Sequence, residues 1–176
     1  MTLGKAVRTR LKWVMREIDR RSPHGEGRLL AVSRHVGVVP RDNITERESR
    51  SESLDGYKIV RKGEFVMNKM RAFNGALGIA PCDGLVSPAY SVFSIRPICD
   101  GRYLAYLLRS SWGLGEIAQR IRGIGQVDQA NVRTPTLATN DLGNIVVDLP
   151  ARTFQTAMAN FLDRETSQID LLIEKK

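Results

Sequence analysis

The fold class follows from one segment, MNKMRAFNGALGIAPCDGLVSPAY at residues 67–90. It contains the pairs Asn74-Gly75 and Asp83-Gly84, and these residue types tolerate the positive φ that tight hairpin turns need. Gly63 and the two pairs separate four strand-like runs, KIV, EFVMNKM, ALGIA and AYSVFSI. The pattern predicts antiparallel strands joined by hairpin turns.

Further short strands are predicted on both sides of this segment. The runs RLLAVS and VGVVP, bounded by Pro40, and the run GNIVVDLP, ended by Pro150, are rich in β-branched residues. The run RLKWVMREI fits either a strand or a helix, and the turn residues after it favour a strand. Residues 41–56 are polar and charge-mixed without an apolar period, which predicts a surface loop.

Helices are predicted in the C-terminal half. Asp100 has the residue type of an N-cap before YLAYLLR, a run that places Leu104, Leu107 and Leu108 on one face. Ser and Gly residues interrupt this helix at 110–115, and EIAQRIR resumes it. The elements together predict a mixed α/β (α+β) fold, a twisted and mostly antiparallel sheet with packed helices, followed by a C-terminal helix of the coiled-coil type.

Residues 153–176 form the clearest predicted helix. Apolar side chains recur at three-to-four spacing, and the helix extends about 36 Å at 1.5 Å per residue. A stripe of that length predicts pairing with a second copy of the chain through residues 153–176, and docking against the chain's own domain is the alternative. The stripe consists of Phe154, Met158, Phe161, Leu162, Ile169, Leu172 and Ile173.

Length and composition are those of one globular domain. The chain has 176 residues, of which 42% are hydrophobic and 26% charged. It contains no apolar run of about 18 residues that would span a bilayer. The first ten residues lack the apolar core of a secretory signal, so a cytoplasmic location is expected. Trp13 and Trp112 are expected in the core, with platforms for stacking as the alternative.

Cysteine and histidine usage does not indicate a disulfide framework or a metal site. Cys82 and Cys99 are too few for such a framework and lie in apolar contexts typical of reduced core thiols. Together with His24 and His35 they lack the close-paired spacings of structural zinc sites. We therefore expect no metal ion in this chain.

The net charge of +8 is concentrated in the first third of the chain. Residues 1–62 contain 15 Lys and Arg against 8 Asp and Glu, whereas residues 63–176 contain 12 against 11. Clustered cations attract polyanions through counterion release, so nucleic acid is the leading partner and an anionic membrane surface the second, with a merely solvated surface as the alternative. The cluster comprises Lys5, Arg8, Arg10, Lys12, Arg16, Arg20 and Arg21.

Motifs for catalysis and cofactor binding are missing from the sequence. It has no GxxxxGK[ST] phosphate loop, no GxGxxG after a strand, and no NPPY or DPPY tetrapeptide of the kind that adenine methyltransferases share. No Ser or Cys lies in a nucleophile motif, and the acidic-x-Lys pattern of metal-dependent nucleases occurs only from Glu174 to Lys176. The sequence therefore indicates a chain that is not an enzyme.

Several motifs, taken in order, resemble one protein family. LLAVS, GVVPR, KGEFVMNKMRAFNGALG and DGLVSPAYSVF are followed by GQVDQANV, a strand ending in LP, and ANFLDRETSQIDLLIEK. This order resembles the target recognition domain of DNA specificity subunits in type I restriction-modification systems, over nearly the whole chain. The resemblance implies a DNA-binding recognition domain at 1–150 and the start of a conserved spacer or dimerisation helix at 151–176.

The resemblance also implies a function and partners. Such subunits are non-catalytic, carry two recognition domains held apart by antiparallel helices, and recognise a split DNA target. They assemble with methyltransferase subunits, which bind S-adenosylmethionine, and with restriction subunits that use ATP and Mg²⁺, so these cofactors are expected only in partners. The implied function is sequence-specific recognition of double-stranded DNA that directs adenine methylation and restriction.

Two departures from the family pattern support a second hypothesis. The chain has one recognition domain and one incomplete helix, as expected of a half-subunit or a fragment. The junction LPARTFQT lacks the proline and glutamate of the family's LPPLxEQ segment. The alternative is therefore a degenerate half-subunit, an interaction module that binds specificity or methyltransferase subunits without recognising DNA.

Three groups of side chains are candidates for DNA contact. Arg suits guanine edges, Asn and Gln suit adenine, and Lys suits phosphate; structural hydrogen bonds or plain solvation are the alternative for each group. Lys69 and Arg71 are predicted to alternate on one face of a strand. The phosphate candidates are Arg16, Arg20 and Arg21, the central candidates are Asn68, Lys69, Arg71 and Asn74, and the loop candidates are Arg120, Arg122, Gln126, Gln129 and Asn131.

Overall fold

The computed structural model describes residues 5–43, 54–121 and 135–174. Within these ranges the chain forms ten β-strands and four α-helices. The strands are β1 Val7–Arg10, β2 Met15–Ile18, β3 Leu30–Ser33, β4 Gly37–Pro40, β5 Lys58–Val60, β6 Phe65–Asn68, β7 Leu77–Ile79, β8 Gly84–Val86, β9 Tyr90–Ile95 and β10 Val146–Leu149. The helices are α1 Gly101–Arg109, α2 Ser111–Ala118, α3 Thr139–Gly143 and α4 Arg152–Glu174, and short 3-10 turns lie at Leu11–Trp13, Arg41–Asn43 and Ala72–Asn74.

A four-stranded sheet in the order β2-β9-β6-β7 forms the centre of the described chain. All of its pairs are antiparallel, with Met15 opposite Ile95, and Phe65 opposite both Phe93 and Ile79. Three two-stranded antiparallel sheets accompany it, β1–β10, β3–β4 and β5–β8. This architecture and the long C-terminal helix confirm the predicted fold class.

Strand β6 is buried on both faces, which explains its continuous apolar run. Phe65 and Met67 belong to a core that includes side chains of α1 and α2, and Phe65 meets Phe93 edge-on with ring centroids 6.0 Å apart. Val66 belongs to a second core, formed with β3, β4, β5 and β8. Because successive side chains of a strand alternate between faces, a strand covered on both faces needs apolar residues throughout.

The two turn pairs differ from the prediction. Gly75 has the predicted positive φ, +81°, but it ends the 3-10 turn within a longer connection between β6 and β7. Asp83-Gly84 is not a hairpin turn, because Gly84 begins β8, which was not predicted and pairs with β5. A Cβ on Gly84 would lie 2.5 Å from the Arg28 carbonyl oxygen. Close packing and not turn geometry therefore requires glycine there.

The run RLKWVMREI combines two strands and a 3-10 turn, so the strand prediction is confirmed only for its ends. The turn buries Leu11 completely and leaves Trp13 59% exposed. Trp112, at the start of α2, is 43% exposed because that helix buries Gly113 and Ile117 instead. The prediction that both tryptophans lie in the core is therefore wrong.

Helix α2 begins sooner after α1 along the chain than predicted. Asp100 caps α1 as predicted, and its Oδ1 accepts a hydrogen bond from the Arg102 N–H at 3.0 Å. Helix α2 begins at Ser111, earlier than the predicted EIAQRIR, and contains Gly113. A Cβ on Gly113 would lie 2.4 Å from the Leu107 carbonyl oxygen, so only glycine permits this approach of the two helices.

None of the described helices is long and apolar enough to cross a membrane. Among the described residues, no three His, Cys, Asp or Glu side chains are placed to hold a metal ion. Cys99 is buried and forms no disulfide, which confirms the predicted core thiol, and burial raises the pKa of this thiol to about 12. Cys82 is half-buried against the second core.

Candidate nucleic-acid interface

The predicted phosphate contacts differ in how far their charge is already neutralised. Arg20 is half-buried and donates to the carboxylate of Glu64. Arg21 donates to both carboxylate oxygens of Asp19, at 2.8 and 3.1 Å, and to the Gly56 carbonyl at 3.3 Å. The bond from Arg21 helps to hold the pKa of Asp19 below its usual value. Both arginines are therefore engaged in ion pairs within the fold.

Arg16 is exposed on β2 and forms no ion pair within the described ranges. Its neighbour across the sheet is Ser94, whose hydroxyl donates to the Arg16 carbonyl at 3.4 Å. The adjacent carboxylate, Glu17, accepts a hydrogen bond from Ser91 at 2.7 Å. The guanidinium of Arg16 is thus available to an external anion such as a phosphate.

The end of β6 brings together polar side chains from three parts of the chain. Asn68 lies opposite Tyr90 of β9, so their polar side chains are cross-strand neighbours. Burial raises the pKa of Tyr90, although the positive charges of Arg71 and Arg41 and the neighbouring Asn68 amide act against it. The phenol is therefore protonated at neutral pH and has two cations within electrostatic range. We call Arg41, Asn68, Arg71 and Tyr90 the strand-end cluster.

Asn68 has a structural role in this cluster. It is only 6% exposed, and its Oδ1 accepts a hydrogen bond from the Met70 N–H at 3.1 Å. Strand β6 ends at Asn68, so Lys69 and Arg71 lie in the following turn and the prediction that they alternate on a strand is wrong. Lys69 is half-buried and its carbonyl accepts from the Leu137 N–H at 3.0 Å, whereas Arg71 is exposed.

The other predicted contacts are divided between exposed, paired and undescribed positions. Asn74 closes the 3-10 turn after the cluster and has an exposed side chain. Arg120 forms an ion pair with Glu116 at 2.9 Å and donates to the Glu116 carbonyl at 2.7 Å. The remaining candidates, Arg122, Gln126, Gln129 and Asn131, lie outside the described residues.

Arg41 and Tyr90 were not among the residues that the sequence pointed to. Arg41 follows β4 and Tyr90 begins β9, so both are distant in sequence from Asn68. The register between β6 and β9 places Tyr90 beside Asn68, and no local motif contains that register. The signal in the sequence is the run AYSVFSI at residues 89–95, which places Tyr90 near the start of a strand.

Helix α4 is attached to the domain through buried polar groups at its start. Gln155 is fully buried, accepts a hydrogen bond from the Asp100 N–H at 2.8 Å, and donates to the carbonyls of Pro150 and Ile98 at 2.8 and 3.1 Å. Arg152 donates to the Asp100 carboxylate at 2.7 Å. Burial opposes ionisation of Asp100, but its hydrogen bonds, chiefly the one from Arg152, outweigh burial and hold the pKa of Asp100 below its usual value.

The following turns of α4 continue this contact along α1. Ala159 is fully buried, and Asp163 accepts hydrogen bonds from Arg102 at 2.6 Å and from the Tyr106 hydroxyl at 2.8 Å. Both donors belong to α1. Within the predicted apolar stripe, only Leu162 is half-buried at this contact.

The rest of the predicted stripe on α4 is exposed. Its exposure rises from 37% at Phe154 to 66% at Ile173. The helix therefore docks on its own domain through a different side, and this docking leaves the stripe uncovered. The exposed members are Phe154, Met158, Phe161, Ile169, Leu172 and Ile173, with Leu171 beside them.

Comparison with solved structures identifies the fold. No protein-family model and no curated protein matches the chain. The HsdS subunit from Thermoanaerobacter tengcongensis aligns with a TM-score of 0.58 and 18% sequence identity, over 98% of this chain and 40% of that chain. The chain has the S-subunit fold. The resemblance that the sequence motifs indicated is thus confirmed at the level of the fold.

Two further solved structures share the S-subunit fold. The S subunit of a type I restriction-modification system from M. genitalium aligns with a TM-score of 0.60 and 13% identity, over 98% of this chain and 42% of that chain. A chain from a study of complex assembly and conformational transition of the type I R-M system aligns with a TM-score of 0.60 and 18% identity, over 96% of this chain and 40% of that chain. This chain therefore spans about 40% of the length of its structural neighbours.

Proposed function

We propose that the chain recognises a specific sequence in double-stranded DNA, as a specificity subunit or half-subunit of a type I restriction-modification complex. The observation that carries this proposal is the S-subunit fold over 98% of the chain. The cationic first third of the sequence adds electrostatic attraction for DNA. By binding its DNA target, the chain would direct adenine methylation and restriction by partner subunits.

Within this proposal the strand-end cluster contacts DNA. Arg71 and Arg41 suit guanine edges or phosphates, and the Tyr90 phenol donates or accepts a hydrogen bond. Asn68 holds the turn in place, because its side-chain oxygen is already used by that turn. Arg16 adds a phosphate contact. Base contacts from Asn74, Arg122, Gln126, Gln129 and Asn131 stay predictions.

The proposed partners are methyltransferase subunits, which would bind S-adenosylmethionine, and a restriction subunit, which would use ATP and Mg²⁺. The chain itself contributes recognition and no catalytic step, and it acts in the cytoplasm. Its likeness to a chain studied for the assembly of a type I R-M system supports a role within a complex.

We also propose that the exposed stripe of α4 pairs with the same stripe of a second copy. Apolar side chains exposed by up to 66% favour burial against another apolar surface, and two such helices pair as a coiled coil. Replacing Ile169 and Leu172 by Asp should convert a dimer into a monomer in light scattering. The control, Asp at the exposed Asn160 and Ser167, should keep the dimer mass. A monomeric wild-type chain at tens of micromolar would refute the pairing.

Selection from a random pool of duplex DNA tests sequence recognition. It is run near physiological salt with the chain alone and again with its candidate methyltransferase subunit. Enrichment of one short motif, or of a split motif with a fixed gap, supports the proposal and separates one recognition unit from two. Recovery of unenriched DNA in both experiments leaves only charge attraction and refutes sequence recognition.

The interaction module is the second candidate function. It is favoured by the ion pairs of Arg20, Arg21 and Arg120, since each would have to exchange a carboxylate for a phosphate to bind DNA. In this case α4 would bind specificity or methyltransferase subunits, and the chain would enrich no DNA motif either alone or in the complex.

A further inference from the structure

A group of cations with free charge lies on the ribbon formed by β1 and β10. The antiparallel register places Arg8 opposite Asp148 and Arg10 opposite Val146, so these four side chains share the outer face of the ribbon. The 3-10 turn after β1 adds Lys12 and Trp13. We call Arg8, Arg10, Lys12, Trp13 and Val146 the ribbon patch, and with Thr9 they line a shallow depression of about 430 Å³.

The positive charge of the ribbon patch is not neutralised by the described part of the fold. Arg10 and Lys12 are exposed and form no ion pair within the described ranges. Arg8 lies 3.7 Å from Asp148, but both side chains are more than half exposed, at 76% and 59%. Exposed pairs of this kind contribute little energy, so Arg8 is also available to an external anion. The patch therefore differs from Arg20 and Arg21, which are engaged in ion pairs.

Trp13 gives the ribbon patch a flat aromatic surface. The Lys12 ammonium lies 5.5 Å from the centre of the indole ring, a distance typical of cation–π contact. Leu11 and Val14 fill the core on either side of Lys12 and Trp13, so the exposed indole is not needed for packing. Proteins that bind single-stranded nucleic acid use the same combination, in which cations contact the phosphates and a base stacks on the aromatic ring.

The ribbon patch is separate from the strand-end cluster. Tyr90 and Ile95 are the two ends of β9, roughly 17 Å apart at ~3.3 Å per residue. Met15 pairs with Ile95, and Trp13 lies just before Met15 in the chain. The two groups of cations therefore lie toward opposite ends of the central sheet.

We propose that the ribbon patch binds the sugar–phosphate backbone of DNA, outside the strand-end cluster and independently of sequence. The proposal rests on the proposed function in taking DNA as the ligand. An acidic protein is less suited to the patch, because Lys is depleted at protein–protein interfaces, although Arg and Trp are enriched there. Here three cations surround one indole and one small apolar side chain, whereas a polyanion offers repeated charges to all three.

Paired alanine substitutions test the patch through the salt dependence of DNA binding. The double variant Arg10→Ala with Lys12→Ala should bind DNA with a weaker salt dependence. The negative slope of log K for DNA binding against log salt should become less steep by about 1.8, because each phosphate contact contributes about 0.9. The motif enriched by the wild-type chain should not change. The control, Arg61→Ala with Lys62→Ala, removes two exposed cations from the turn between β5 and β6 and should change the slope by less than half as much.

Tryptophan fluorescence gives a local measurement of the same contact. The chain has two tryptophans, so Trp112→Phe leaves Trp13 as the only indole. Duplex DNA should reduce acrylamide quenching of Trp13 in that variant and should leave Trp112 unchanged in Trp13→Phe. Single-stranded DNA of the same length shows whether the ring prefers an unpaired base to the duplex backbone, and protection by either strand form supports the patch.

The outcomes separate this inference from the proposed function. A smaller slope in Arg10→Ala with Lys12→Ala, together with protection of Trp13, supports the patch even if no motif is enriched and sequence recognition fails. A wild-type chain that enriches a motif, with an unchanged slope in the double variant and an unprotected Trp13, overturns the patch and leaves its cations to a protein partner. A wild-type chain that binds no DNA overturns both.

Discussion

Gln155 is the residue whose substitution most directly tests how α4 is attached. It is fully buried and makes three hydrogen bonds, with the Asp100 N–H and with the carbonyls of Pro150 and Ile98. Gln155→Leu keeps the approximate volume and removes all three. The Asp100 N–H would then be buried without a partner, which costs about 1 to 3 kcal/mol. The two half-buried carbonyls would lose net bonds of roughly 0.5 to 1.5 kcal/mol each.

These terms sum to about 2 to 6 kcal/mol, and burial of the apolar Leu side chain offsets part of the loss. We therefore expect Gln155→Leu to lower the free energy of unfolding by about 3 kcal/mol, with an unchanged denaturant slope. For a domain of this size the melting temperature should fall by roughly 6 to 12 °C. Urea and thermal unfolding measure the change, and amide exchange in α4 should rise more than in the central sheet. Gln119→Leu, at the exposed end of α2, is the control and should stay within about 0.5 kcal/mol of wild type. A Gln155→Leu variant as stable as this control would refute the buried attachment.

Three other substitutions test the core, the cap and the interface. Gly113→Ala should destabilise the domain by about 1 to 3 kcal/mol, because its Cβ would overlap the Leu107 carbonyl; an unchanged urea midpoint would contradict that contact. Asp100→Asn should be less stable than wild type near neutral pH. Because the pKa of Asp100 is lowered in the fold, its contribution to stability is present above the ordinary pKa of 3.8 and is lost as pH falls through the folded pKa. The difference in melting temperature between Asp100→Asn and wild type should therefore shrink in acid. A difference that stays constant with pH would contradict the shift. Arg71→Ala should weaken binding to an enriched motif by about 1 to 3 kcal/mol, roughly 5- to 150-fold, with Arg61→Ala as the matched control in a titration; equal losses in both would place Arg71 outside the site.

Local sequence pattern was sufficient for most elements of the fold. The β-branched runs predicted β3, β4, β5 and β10, and the N-cap residue Asp100 marked the start of α1. These signals succeed because the type of element depends on the pattern of apolar residues within a short stretch of chain. The misassigned glycines depend on distant atoms instead. Gly84 is required by the Arg28 carbonyl, which lies far from it in sequence, so it has the same local appearance as a turn glycine.

The candidate site was less accessible to sequence reasoning because its charges interact across the fold. Arg20 is paired with Glu64, 44 residues away, and this partner decides whether its charge is available to DNA. Arg41 and Tyr90 belong to the strand-end cluster only through the register of distant strands. Composition identifies the cationic third of the chain correctly, but only the folded arrangement distinguishes Arg10 and Lys12 from cations that are already paired.

The junction at the start of α4 differs from the LPPLxEQ pattern of the family that the sequence resembles, and the structure shows what the changed residues do. Of LPPLxEQ, the junction LPARTFQ keeps Leu149, Pro150 and Gln155. The buried Gln155 of α4 forms hydrogen bonds to the domain. Arg152, which stands where the pattern has leucine, forms an ion pair with Asp100. The start of the helix is therefore held despite the changed residues. Phe154, which stands where the pattern has glutamate, is instead 37% exposed at the start of the apolar stripe. The change thus leaves the attachment of α4 intact and adds apolar surface on the side that we propose for a second copy.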